Sequence, residues 1–203
     1  MMKRPFLSLA LIAAVAASNA QLVWDHGPAT GSHGGFWSNS TAGQNFADLV
    51  SFASATTVLR YRHFTLFDPS TYGTMTVKLL DDNAGAPGNF LSTQSVPVFA
   101  YGFAGNFGGN DVFWADLNLT TALNLSANTN YWIGASGNGF EAGQLSVLTP
   151  QDGQMAQFTE TTFSHHAGIG DQTFQLYADA IPEPTTLALL GIGAVAMLRR
   201  RKN

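Results

Sequence analysis

The side chains of this chain with chemistry to offer are carboxylates, imidazoles and indoles. Asp81-Asp82-Asn83, within "DDNAGAPGN", puts three oxygen-bearing side chains in succession. Hard cations such as Ca²⁺ take loop ligands of that kind. An EF-hand loop alternates its ligands and closes on a distal glutamate, and none follows here. The stretch is dense in turn-forming residues and reads as a hairpin turn with solvated acids. The histidines are His26, His33, His63, His165 and His166. Zinc needs several ligands converging on one point, and no H-E-x-x-H pattern is present. His165 and His166 are neighbours, so a strand would turn them to opposite faces. His26 and His33, with Asp25, are the one grouping a metal site would draw on. The expectation is surface polar residues there, with no metal and no cofactor.

Covalent and acid–base catalysis find little support. There is no cysteine, which excludes a thiol nucleophile. The G-x-S-x-G turn that presents a reactive serine is missing. A glycosidase needs two carboxyl groups facing each other across a cleft. Glu141 and Glu160 are the only glutamates between residues 21 and 180, and most aspartates fall in turn-like stretches. The chain is therefore expected not to be an enzyme. A polysaccharide-active enzyme is the weaker alternative.

Aromatic residues are the more informative class. Flat rings pack in cores, but exposed ones also stack on sugar rings. Trp24, Trp37, Trp114 and Trp132 accompany fifteen Phe and five Tyr. Trp114 follows Phe113, and Trp132 follows Tyr131, so on strands one member of each pair can face solvent. Trp37, in "GGFWSNS", is the candidate exposed platform and the possible glycan contact.

These residues must be carried by strands. "TMTVKLL" sets Met75, Val77 and Leu79 on one face and Thr74, Thr76 and Lys78 on the other, the period of a half-buried strand. "DVFWADLNL" alternates in the same way through Phe113, Ala115, Leu117 and Leu119. "TTVLRYRHFTLF", "FLSTQSVPVFAY", "NYWIGAS", "QLSVLTP" and "TFQLYADA" are further extended stretches. "GFAGNFGGN" reads as a glycine-rich loop, and residues 21–48 as an opening strand followed by a long loop. Eight to ten short strands separated by turns predict an all-β antiparallel sandwich over residues 21–180.

Arg60, Arg62 and Lys78 are the only cations of that body, against twelve acids, a net charge of −9 where the whole chain carries −4. A phosphate backbone would repel it, so nucleic acid is not a partner. A body of this length can bury a core that needs no disulfide staple.

"TVKLLDDNAGAPGNFLST" followed by "VFWADLNLTTALNLSANTNYWIGAS" resembles a recurring bacterial exported β-sandwich module. The shared features are Asp81-Asp82, Gly85-Ala86-Pro87-Gly88 and Tyr131-Trp132. The resemblance implies a jelly-roll-like sandwich and implies no activity.

The two ends concern address. Lys3 and Arg4, an apolar run over residues 5–17 and Ser18-Asn19-Ala20 have the order of a secretory signal peptide over residues 1–20, cut by signal peptidase before Gln21. At the other end, "TTLALLGIGAVAML" is uncharged and short for a bilayer, which takes about 20 residues with a low end near 17. Pro184 can start a single transmembrane helix over about residues 185–198. Arg199, Arg200, Arg201 and Lys202, in the basic tail 199–203, stay cytoplasmic as a stop-transfer cluster. Pro182-Glu183-Pro184, then that helix, then the arginines, resembles the PEP-CTERM sorting signal over residues 181–203. The resemblance implies a Gram-negative bacterium, and processing by exosortase, a membrane cysteine protease, after transient anchoring in the inner membrane. It also implies a final place at the cell surface or in the extracellular matrix, often beside exopolysaccharide and biofilm. The expectation is an exported, non-catalytic structural or adhesive component, with a carbohydrate-binding module as the alternative.

Overall fold

A computed structural model describes residues 21–27, 33–107, 109–147, 154–159, 163–167 and 171–178. Among them the chain forms β1 (Leu22–Asp25), β2 (His33–Ser38), β3 (Asn45–Ser51), β4 (Thr56–Thr65), β5 (Thr74–Asp82), β6 (Pro87–Pro97) and β7 (Ala100–Phe107). It continues through β8 (Asn110–Leu125), β9 (Asn130–Gly137), β10 (Ala142–Val147), β11 (Gln154–Phe158), β12 (Phe163–Ala167), β13 (Asp171–Gln172) and β14 (Phe174–Tyr177). The signal peptide, the Pro182-Glu183-Pro184 motif, the transmembrane helix and the basic tail lie outside the described residues. Among the described residues no helix is long and apolar enough to cross a membrane.

The strands build three antiparallel sheets. One runs β1-β14-β4-β8-β7, a second runs β12-β11-β3-β9-β5-β6, and a small third runs β13-β10-β2. Period-2 alternation explains the packing. Met75, Val77 and Leu79 of β5 and Ile133 and Ala135 of β9 meet Tyr61 of β4, Leu117 and Leu119 of β8, and Phe174 and Leu176 of β14 in one core. Tyr61 stacks on Phe174 with centroids 5.3 Å apart and planes 6° apart. The two large sheets are thus the halves of a β-sandwich, as the alternation predicted. The small sheet bridges them. His63 Nε2 of β4 bonds the Gly143 carbonyl of β10 at 2.9 Å, and the Gln172 amide of β13 donates to Asp48 Oδ2 of β3 at 2.6 Å.

Three local expectations are corrected. "GFAGNFGGN" is a strand for most of its length: Tyr101, Gly102 and Phe103 pair with Ala115, Trp114 and Phe113 of β8. Gly102 is small there because a Cβ would lie 2.8 Å from the Trp114 ring. Lys78 does not face water. The outer surface of the six-stranded sheet carries its own cluster of Ala47, Leu80, Trp132, Ala156 and Phe158. Lys78 is buried beside it, Nζ 5.2 Å from the Phe90 ring centroid. Tyr131 and Trp132 are both buried, one on each side of that sheet, so neither is an exposed platform. The described strands also outnumber the eight to ten expected, because residues 21–48 hold β1, β2 and the start of β3 rather than one strand and a loop, and β11, β12 and β13 fall where no strand was read.

The acidic stretch does form the hairpin turn between β5 and β6. Ala84 and Gly85 take positive φ of 55° and 87°, the left-handed geometry that glycine tolerates best. Its acids are structural acceptors: Asp82 Oδ1 takes the Trp132 indole N–H at 2.9 Å, and Asp81 takes the amide and side chain of Asn89.

On the outer face of the five-stranded sheet, Asp116 of β8 is fully buried between two arginines of β4. Arg60 Nη1 lies 3.0 Å from Oδ2, and Arg62 holds both oxygens at 2.6 and 2.8 Å. Removing one member of a buried charge set strands the others. Asp116→Ala should lower unfolding stability by about 3–5 kcal/mol in a urea titration; a loss below 1 kcal/mol would show the triad to be dispensable. Gly134 of β9 makes a steric counterpart, since a Cβ there would lie 1.8 Å from the Phe46 carbonyl oxygen. Gly134→Ala should cost about 1–3 kcal/mol in the same titration. Gly73→Ala, with open space around it, should change stability by no more than about 0.5 kcal/mol.

Candidate functional site

The small sheet carries the strongest candidate. Its outer strand β2 presents Trp37, and its middle strand β10 places Gly143 directly opposite. Phe67, on the turn after β4, reaches across. Its ring lies on Gly143, where a Cβ would come within 2.3 Å of it. The same ring stacks on Trp37, with centroids 4.4 Å apart and planes at 23°. Trp37 is 49 % exposed and Phe67 41 %. Phe67 thus covers part of the indole, and about half of Trp37 stays exposed.

A hydrogen-bonded frame holds this pair from beneath. The Gly143 amide donates to Tyr72 Oη at 3.1 Å. Tyr72 Oη and Thr65 Oγ1 share a 2.9 Å bond, and Thr65 Oγ1 also accepts from the Phe67 amide at 3.2 Å. The Asp68 carboxylate accepts from the Ser70 amide at 2.9 Å, which caps the short 3-10 turn over Pro69–Thr71. Burial and these polar contacts leave the Tyr72 phenol above its ordinary pKa, with desolvation outweighing the bonds from Thr65 and Gly143. It therefore serves as a neutral link in the frame. The floor is completed by His63, whose Nε2–H donates to the Gly143 carbonyl. Full burial drives the His63 pKa down to about 4, against a smaller upward pull from that bond.

A second group of exposed rings lies on the edge strand β7, at Tyr101 and Phe103, 51 % and 60 % exposed. Phe103 pairs with Phe113, and Phe113 with Thr65, so one rung of the sheet runs from the frame to this edge. Phe103 and Phe113 meet edge to face at 5.8 Å.

The residues singled out from the sequence are thus dispersed. His26 is buried rather than on the surface, its ring 4.8 Å from Trp24 and 5.5 Å from Phe174. Its Nδ1 lies 3.7 Å from Asp48 Oδ2. Asp25 binds the Gln175 side chain at 2.8 Å. His33 starts β2, while His165 and His166 occupy successive positions of β12, opposite Ala156 and Met155 of β11. Among the described residues no three His, Asp or Glu side chains converge as metal ligands would. Glu160 lies outside the described residues, and Glu141 is exposed just before β10. Sequence reasoning found Trp37 and missed Phe67, Tyr101 and Phe103. Phe67 and Tyr101 sit at the ends of stretches that read as strand, and Phe103 falls in a glycine-rich stretch that reads as a loop. Only the position of β7 at a sheet edge exposes Tyr101 and Phe103.

Residues 180–202 match the PEP-CTERM protein-sorting motif. No curated protein and no solved structure matches the chain. The C-terminal segment therefore marks an exported protein processed by exosortase, and the described body is defined by its own architecture, an all-β sandwich of antiparallel sheets.

The histidine under the platform makes folding pH-sensitive. His63 is neutral in the fold down to about pH 4, whereas the unfolded chain takes up its proton near 6.5. The unfolded state binds the extra proton between those values, so stability falls as pH falls through that window. The contribution is about 3 kcal/mol. Urea midpoints of wild type and His63→Gln should diverge accordingly, the wild type losing stability more steeply between pH 6.5 and 4. Parallel pH profiles would show that His63 does not set the slope.

Proposed function

We propose that this protein is a non-catalytic structural or adhesive component, delivered by exosortase to the cell surface or the extracellular matrix in association with exopolysaccharide. The observation that carries the reading is the sorting motif at residues 180–202 joined to a β-sandwich body. In this reading the signal peptide of residues 1–20 takes the chain across the inner membrane. The helix of residues 185–198 and the cluster Arg199, Arg200, Arg201 and Lys202 then hold it there in transit. Exosortase reads Pro182, Glu183 and Pro184.

The chemistry of the body supports the non-catalytic part. Four of its described acids serve the fold. Asp81 and Asp82 organise a hairpin, Asp116 neutralises two arginines, and Asp48 accepts the Leu49 and Gln172 amides at 2.8 and 2.6 Å. His63 is held neutral and buried beneath a backbone carbonyl. Groups so engaged act as scaffold rather than as acid, base or nucleophile.

Replacing Pro182-Glu183-Pro184 with three alanines in the native host tests the route. Intact-mass measurement and cell fractionation should find an unshortened protein retained in the inner membrane. A variant that is still shortened and still reaches the surface would remove exosortase from the account.

A further inference from the structure

We propose that the Trp37–Phe67 pair is a binding platform for a neutral polysaccharide, with Tyr101 and Phe103 of the edge strand as an outlying contact. This deepens the surface-component reading and rests on it for the location at which such a polymer is met.

Three observations point to this occupant. The first is shape. Phe67 seals one side of the indole, and about half of Trp37 stays in contact with water. Among the described residues, what remains is an exposed aromatic surface held by its stack on Phe67. A pyranose offers the matching surface, because the C–H bonds of one ring face pack against the negative face of a π-system. The second is preorganisation. Phe67 is seated on Gly143, and its backbone is tied through Thr65 to Tyr72 and back to the Gly143 amide. A platform already rigid loses little entropy when it binds. Two exposed carboxylates are close in sequence: Asp68 follows Phe67, and Glu141 stands two positions before Gly143. These are acceptors for sugar hydroxyls.

The third is charge. The body carries twelve acids against Arg60, Arg62 and Lys78. All three cations are held away from the platform. Arg60 and Arg62 are bound to Asp116 on the outer face of the five-stranded sheet, and Lys78 is buried on the outer face of the six-stranded one. An anionic polymer would meet repulsion and no counter-charge here. An uncharged glycan meets neither cost. A protein partner covering the same exposed rings, a second copy of this chain included, is the competing occupant that the test below separates.

Tyr101 and Phe103 extend the surface along the rung that passes from Thr65 through Phe113 to Phe103. A polymer lying across the platform runs towards this edge, so a chain of several sugars should bind more tightly than a monosaccharide.

The test is native affinity electrophoresis of the full-length protein in mild detergent, in gels containing a neutral β-glucan, a neutral galactomannan or acidic alginate. The proposal expects retardation by at least one neutral polymer and none by alginate. Trp37→Ala and Phe67→Ala should each weaken that retardation by roughly tenfold or more, as truncation of a central aromatic anchor does. Phe103→Ala should weaken it less. Both platform residues are exposed, so melting temperatures should stay near wild type. Phe67→Tyr, which keeps the stack, should retain binding if a variant proves unstable. Absence of retardation in every neutral gel overturns the proposal, as does binding that survives Trp37→Ala. A change of oligomeric state in Trp37→Ala on size-exclusion chromatography, without an effect on glycan binding, would assign the surface to self-association and also overturn it. Trp37→Ala expressed in the host should still be processed and exported, so loss of glycan binding and loss of sorting are read separately.

Discussion

Asp116 is the charge on which the five-stranded sheet depends. It sits without solvent on β8, and Arg60 and Arg62 of the neighbouring β4 close around it. The arginines extend the contact sideways. Arg60 lies 3.8 Å from the centre of the Tyr177 ring on β14, and Arg62 lies 4.4 Å from that of Trp114 on β8. Three adjacent strands are thereby fixed in register by one carboxylate. A one-residue slip would put Asp116 on the core face and bury an unpaired charge, which is far costlier than a lost contact. Tyr177 responds to the same cluster, with burial raising its phenol pKa against the opposing pull of the two arginines.

This arrangement also decides what the surface can meet. The body has three cations, and the fold consumes them: two around Asp116 and the third, Lys78, against Phe90 and Phe158. The acids stay largely in turns and at strand ends. The described exterior therefore has few cations to offset its acids, and it exposes the aromatic rings of Trp37, Phe67, Tyr101 and Phe103. Those rings stand at the end where the small sheet and the edge of the five-stranded sheet leave strands uncovered.

How far the sequence could be read depended on range. The alternation in Met75-Val77-Leu79 and in Ala115-Leu117-Leu119 is a local signal, and it yielded β5 and β8 with the correct face inward. "DDNAGAPGN" carries its turn in the left-handed residues Ala84 and Gly85, again a local cause. Readings failed where strands brought alongside from elsewhere in the chain decided the outcome. Lys78 alternates like a solvent-facing residue, yet a cluster contributed by β3, β9 and β11 covers it. "GFAGNFGGN" looks like a loop because glycine is rare in strands, but Gly102 is there to admit the Trp114 ring from the next strand. His26 reads as polar surface and is packed between Trp24 and Phe174, the latter some 150 residues away in the chain.

By itself the sequence determined the all-β class, the acidity of the body, the absence of any disulfide and the sorting address of residues 180–202. Each of these is a property of composition, of period-2 alternation or of a contiguous motif, and none needs distant residues to meet. Tertiary structure alone decided the order of strands in three sheets, the burial of Arg60, Arg62 and Lys78, and the union of Trp37, Phe67 and Gly143 into one rigid surface. These rest on pairings between strands far apart in sequence, whose register is set by which side chains the core accepts and which charges it must neutralise. A short-range pattern carries no record of such a choice.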